Sequence, residues 1–336
     1  MRKTPGSGKP RLVILATGGT IAGSADSSAQ AGYASGQFGV ETLLAAVPQL
    51  GELAHIGTEQ LVSMGSQNMT DAIWLCLAAR VNELLMQDEV DGVVITHGTD
   101  TLEETAYFLN LVVSSDKPVV MTAAMRPATA LSADGPLNIY NAVAVAADTD
   151  AARRGVLVVI NEDIHGARAI SKNHTTDVQT FLSNEEGVIG RSRYGVNAFF
   201  RYPHRLHTAD SAFSVSGVDE LPRVDVMYMH AGVSGDLIDA AVAAGARGIV
   251  TAGVGNGNMT DAALHAVERA LRQGVMVVRS SRVAGGATSR NIEVNDDAIG
   301  TVASGDLNPA KARVLLQVAL LGPLDNSGLQ TLFERY

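Results

Sequence analysis

The sequence predicts an α/β fold, with an N-terminal domain on a parallel sheet and a smaller α/β domain after it. Three observations carry this. Short β-branched runs alternate with helical patterns along nearly the whole chain. The runs are apolar throughout, as strands covered on both faces are, and do not alternate with polar residues. The rhythm fails once, between Arg191 and Pro222, in a polar stretch with aromatic residues and two prolines. That break divides the 336 residues into a domain at 1–205, a linker at 206–222 and a domain at 223–336, which suits a length prior of roughly 150 residues per domain.

The elements follow in order. Residues 12–16 form an apolar strand that runs into a glycine turn. A helix at 70–88 has one stripe of Ile73, Trp74, Leu77, Val81, Leu84 and Leu85, the spacing of an amphipathic helix. A strand at 92–96 is followed by Thr101 and Glu104, spaced as a capping box, and by a helix carrying Tyr107, Phe108 and Leu111. Strands at 119–123 and 156–160 complete the first half. In the second half, strands at 224–229, 248–251 and 275–278 alternate with helices at 235–244, 260–273 and 309–321. No fixed-period repeat interrupts this order.

Composition narrows the function. The chain carries 25 Lys and Arg against 35 Asp and Glu, a net charge of −10, which repels phosphate backbones and anionic lipid surfaces. No nucleic-acid or membrane partner is therefore expected. No apolar run approaches the 18 or so residues of a membrane span. The single cysteine, Cys76, sits at an apolar position of a helical pattern and reads as a buried structural thiol. It cannot close an intrachain disulfide, and multi-cysteine metal sites are excluded. Residues 1–10 are basic and rich in Gly, Pro and Ser but precede only five apolar residues, so no leader is recognisable. The sequence as written reads as cytoplasmic, or as periplasmic or secreted if a leader has been removed.

In parallel sheets ligands bind beyond the carboxyl ends of the strands. Four sequences lie there. Thr17-Gly18-Gly19-Thr20-Ile21-Ala22-Gly23 is either an ordinary tight turn or an oxyanion-binding loop with Thr20 as nucleophile. Its spacing is neither a dinucleotide fingerprint nor a phosphate-binding loop. His97-Gly98-Thr99-Asp100 precedes a helix, where Asp100 could cap or bind a substrate amine; His97 reads as a packed turn residue and not as a base. Gly65-Ser66-Gln67-Asn68 is a polar cluster, or simply the loop before a helix. Gly253-Val254-Gly255-Asn256-Gly257-Asn258 resembles a Rossmann turn but lacks its last glycine. Lysine is scarce, and Lys172 lies in a polar run just past a strand. A base that must give up its proton can be lysine but not arginine.

Two motifs in order, residues 15–23 and Thr96-His97-Gly98-Thr99-Asp100-Thr101-Leu102-Glu103-Glu104-Thr105, resemble the bacterial L-asparaginase family, type II. Ala124-Met125-Arg126-Pro127, Ser132-Ala133-Asp134-Gly135-Pro136, the glycine-asparagine run at 253–258 and Arg279-Ser280-Ser281-Arg282-Val283 extend the resemblance over nearly the whole chain. It implies a flavodoxin-like C-terminal domain and a homotetramer built as a pair of dimers. It also implies hydrolysis of asparagine to aspartate and ammonia, with no cofactor and no metal. Thr20 then matches the nucleophile and Tyr33 the tyrosine that orients it. Thr99, Asp100 and Lys172 match the second catalytic group, while Ser66, Gln67 and Asp100 match the residues that grip the substrate head group. Ala124 offers a backbone contact near the side-chain amide. Asn256 and Glu293 match residues that reach the site from a neighbouring subunit.

The physics of amide hydrolysis suits these assignments, since it needs a nucleophile, a proton relay and oxyanion donors. Three departures from the family pattern stand out: the absent cysteine pair, Ala262 where a serine is frequent, and a poor match at 184–202. The last two bear on the preference between asparagine and glutamine. A glutaminase-asparaginase of mixed specificity and a non-catalytic amino-acid-binding protein are the alternatives. A nicotinamide-dependent oxidoreductase fails on both glycine motifs.

Overall fold

The apolar run at 12–16 becomes β1 (Arg11–Gly18) in the computed structural model, which describes residues 8–23 and 39–336. The chain divides into two units, one up to Ser211 and the other Ala212–Tyr336. In the first unit, β1 is followed by α1 (Val40–Ala45), α2 (Leu50–Leu53), β2 (His55–Met64), α3 (Asp71–Met86) and β3 (Gly92–Thr96). Then come α4 (Leu102–Val112), β4 (Val119–Thr122), α5 (Gly135–Ala147) and β5 (Val156–Ile160). Five short strands finish the unit: β6 (Asp163–Gly166), β7 (Ile170–Lys172), β8 (Phe181–Ser183), β9 (Gly190–Arg193) and β10 (Val196–Phe199).

The main sheet has the order β10-β9-β6-β5-β4-β3-β1-β2. From β2 to β5 all neighbours are parallel, while β6, β9 and β10 join antiparallel. Strands β3 and β5 are buried at every residue, which is why their apolar runs marked them so clearly. Leu12, Ile14 and Ala16 of β1 share a core with Ile139, Val143 and Ala146 of α5. On α3 and α4, Trp74 stacks on Phe108 at 5.1 Å between centroids, and the indole N–H donates to Thr105 Oγ1 at 2.8 Å. Chain order makes β1 a hinge of topology: the path leaves it on one side for β2, then returns to β3 on the other. The crevice beyond β1 and β3 is therefore the switch point at which open α/β sheets bind ligands.

Three expectations are corrected here, and one strand was not foreseen. Cys76 is exposed; two residues from Trp74 means about 200° around the helix, away from the buried stripe. Thr101 does precede α4 but makes no side-chain cap bond, because its hydroxyl donates to Ser66 O at 2.8 Å. The stretch beginning at Arg191 is not wholly a boundary, since β9 and β10 form a hairpin closed by Tyr194 and Gly195, both at positive φ. Its aromatics pack on Arg154, whose guanidinium lies 4.3 Å from the Phe199 ring and 3.6 Å from that of Tyr202. Finally β2, a ten-residue edge strand, carries no continuous apolar run because its burial is mixed.

The second unit holds β11 (Val224–Tyr228), α6 (Asp236–Ala243), β12 (Gly248–Gly253), α7 (Asp261–Arg272) and β13 (Met276–Ser281). It ends with α8 (Asp296–Ile299), β14 (Val302–Ala303), α9 (Pro309–Ala319) and α10 (Asn326–Arg335), the last not foreseen from the sequence. Its four strands are parallel in the order β11-β12-β13-β14. Gly248 faces Leu316 of α9, while the next residue, Ile249, joins the core of Ala263, Ala266 and Val267 of α7. Successive strand residues point to opposite faces, so helices cover both, as in the flavodoxin-like domain the resemblance implied. Thr260 and Asn308 cap α7 and α9, accepting from Ala263 N and Lys311 N. Among the described residues no helix is long and apolar enough to cross a membrane.

Candidate active site

Three loops meet at the switch point, and glycines set how closely. Gly19, at φ 84°, lies so near the next loop that a Cβ there would fall 2.5 Å from Gly98 Cα and N. A Cβ on Gly98 would in turn fall 2.6 Å from Ser66 Oγ. Any larger residue would push apart the turn after β1, the turn after β3 and the segment after β2. Gly19 N donates to Met64 O at 2.8 Å, and Thr17 Oγ1 donates to Thr96 O at 2.9 Å. Thr20 opens a short 3-10 turn, Thr20–Ala22, immediately after this junction and is 4% exposed.

The polar groups gather around that junction. Lys172, at the end of β7, donates from Nζ to Thr99 Oγ1 at 3.0 Å and to Asp100 Oδ1 at 2.7 Å. The Asp100 side chain is 58% exposed and that of Lys172 only 17%. The carboxylate therefore has one face on the lysine and another open to a cationic ligand. Asp100 N donates to Ser66 Oγ at 3.1 Å, which ties the segment after β2 to the turn after β3 that carries Thr99. Ser66 is buried and Gln67 exposed, with the Gln67 amide folded against Gly65. Ala124 is buried just past β4, and Ala128 N donates to Gly23 O at 3.1 Å, which seats its loop beside the Thr20 turn. Tyr33 lies outside the described residues.

His97 is fully buried, and burial pushes its imidazole down to about 4, against a weaker upward pull from the Gly98 carbonyl. It is neutral at ordinary pH, with Nδ1–H donating to Gly98 O at 2.7 Å and fixing the turn that carries Thr99. Its sequence reading as a packed turn residue stands.

In the second unit, taken by itself, the glycine-asparagine run closes into a loop in which Val254 and Asn258 exchange both backbone hydrogen bonds. It is pinned by Arg279, which donates to Asn256 O at 3.1 Å and pairs with Asp296 through both oxygens, at 2.6 and 2.7 Å. Burial alone would raise the Asp296 carboxyl, but the bonds from Arg279, Thr301 and Asn291 N outweigh it and hold the group below the usual carboxylate range. The Asn256 side chain ties this loop to the segment after β13, accepting from Ser289 N at 2.8 Å. Glu293 pairs instead with Asn258, whose amide donates to its carboxylate. Sequence reasoning passed over Asn258, and the spacing alone does not say which of the two asparagines reaches Glu293.

The fold and site define an α/β protein with threonine hydroxyls, a lysine and a carboxylate gathered at its switch point. Comparison with known proteins gives the particular family. Residues 11–204 match the family model described as Asparaginase, N-terminal, and residues 223–333 match Glutaminase/Asparaginase C-terminal domain. The chain belongs to the asparaginase family. It is 51% identical to L-asparaginase 2 of Escherichia coli over 327 residues, covering 97% of this chain and 93% of that one. A glutaminase-asparaginase of Pseudomonas fluorescens is 45% identical, over 97% of this chain and 90% of its own. The crystal structure of a probable cytoplasmic L-asparaginase from Campylobacter jejuni superposes with a TM-score of 0.95 at 44% identity, covering 98% of this chain and 100% of that one.

Proposed function

We propose that this protein hydrolyses L-asparagine to L-aspartate and ammonia through an acyl-enzyme on Thr20. The observation that carries the reading is the contact of Lys172 with both Thr99 and Asp100, beside the buried Thr20 turn. Asp100 receives the substrate ammonium, with Ser66 and Gln67 placed for its carboxylate. An ammonium docking on Asp100 competes with Lys172 for one carboxylate, which frees the lysine to exchange a proton with Thr99. Thr20 Oγ attacks the amide carbon as its proton leaves along the relay, and backbone N–H groups at the start of the Thr20–Ala22 turn stabilise the oxyanion. The C–N bond then breaks, the nitrogen leaves protonated as ammonia, and an aspartyl ester remains on Thr20. Water, deprotonated by the same relay, attacks that ester and releases aspartate.

The domain boundary within 206–222 and a homotetramer with shared sites belong to this proposal. Glu293, held by Asn258, is the group offered to a neighbour's site, and Asn256 serves the loop that presents it. A second reading, mixed asparaginase and glutaminase activity, is favoured by the identity to the Pseudomonas relative. Coupled ammonia detection with asparagine and glutamine side by side tests both. Release from asparagine supports the proposal, and release from neither overturns it.

A further inference from the structure

Ala124, whose backbone the family resemblance puts near the substrate's side-chain amide, carries its carbonyl between two peptides that Asp134 and Asn138 hold from the start of α5. Asp134 precedes α5 but makes no cap bond to its own helix. Its carboxylate reaches back instead, Oδ2 accepting from Met125 N at 3.0 Å and Oδ1 from Arg126 N at 2.9 Å. Asn138, one turn further and 2% exposed, donates from Nδ2 to Ala123 O at 3.0 Å and to Asp134 Oδ2 at 3.1 Å. Its Oδ1 accepts from Asn161 N at 2.9 Å, just beyond β5, so the amide's two donors and its oxygen are all engaged.

A trans peptide is planar, with its N–H and C=O pointing in opposite directions. The bond at Met125 N therefore fixes the plane that also carries the Ala124 carbonyl. The bond at Ala123 O fixes the plane before it. Charge-assisted bonds to the two N–H groups also polarise the chain of amides, strengthening that carbonyl as an acceptor. We propose that Asp134 and Asn138 are positioning residues that aim the Ala124 carbonyl at the N–H of a primary carboxamide substrate. This rests on the asparaginase reading above.

An ester separates positioning from general support. The β-methyl ester of aspartate offers the same carbonyl carbon but no N–H at the leaving group, so it gains nothing from the Ala124 carbonyl. In Asp134→Asn, one of the two backbone N–H groups loses its acceptor; in Asn138→Ser, the bond to Ala123 O is lost. For each, kcat/KM for asparagine falls on the order of tenfold or more, the worth of one differential hydrogen bond, while the ester value stays within about twofold. The two variants are independent, so failure of one to fold leaves the other as the test. Equal losses on both substrates, or no loss on asparagine, overturn the proposal. If the unaltered protein releases no ammonia from asparagine, the reading beneath the proposal fails and the proposal falls with it.

Discussion

Lys172 Nζ donates to Thr99 Oγ1 across 3.0 Å, joining the end of β7 to the turn after β3 over 73 residues of chain. Asp100 binds the same ammonium at 2.7 Å. A hydroxyl that accepts from a lysine can pass its own proton back once that lysine is neutral, and no arginine can take this part.

Replacing Lys172 by Arg keeps a cation beside Asp100 but removes a base that can be emptied. Turnover of asparagine is expected to fall by on the order of 10²–10⁴, the usual worth of a general acid–base group. Thr99→Ala should fall comparably, and the double variant hardly further, because residues that act as one unit are not additive. Steady-state kinetics with a melting curve for each variant checks this. Near-normal turnover in Lys172→Arg would remove the lysine from the relay.

Acid stability should report on His97. Its imidazole sits at about 4 when folded and near 6.5 when unfolded, so the unfolded chain binds the extra proton between those values. Stability from this group is full above pH 6.5, declines as pH falls, and stops declining below about 4. Over about 2.5 units the loss is about 3 kcal/mol. His207, also lowered by burial, acts in the same direction. Denaturant unfolding of His97→Gln across this window should show a shallower slope than the unaltered protein, and an unchanged slope would contradict the assignment.

The proposed head-group site makes a prediction about selectivity. If Ser66, Gln67 and Asp100 fix the amino acid at one end, as proposed, the extra methylene of glutamine displaces its amide from Thr20. One methylene is worth about 1–3 kcal/mol of discrimination. Glutamine should therefore turn over, with kcat/KM roughly 10- to 200-fold below asparagine. Equal constants for the two would establish the mixed-specificity reading instead.

What the sequence revealed, and what it hid, has physical causes. Strands β3 and β5 are buried throughout, so a continuous apolar run fixed both their ends. Thr70 and Thr260 cap helices as a hydroxyl before an apolar periodicity should. The edge strand β2 lacks that signal, and Thr101 spends its hydroxyl on Ser66, 35 residues away, in a contact no local spacing encodes. At the site, Thr99, Asp100, Ser66 and Lys172 were all named from strand ends and family motifs, and the structure brings these four together. Asn138 escaped notice, and Asp134 stood only as part of a motif, because their main partners are backbone groups on other loops. Asn258 escaped because an asparagine that reaches Glu293 looks, in sequence, like its neighbour Asn256, which accepts from a backbone N–H instead.

The central claim is that Thr20 carries the acyl group, and rapid acid quench followed by peptide mass analysis tests it most directly. Under saturating asparagine, the peptide containing Thr20 should gain the mass of one asparagine less one ammonia, and the gain should vanish in Thr20→Ala together with turnover. An adduct on the Thr99 peptide instead, or sustained ammonia release from Thr20→Ala, would contradict the account.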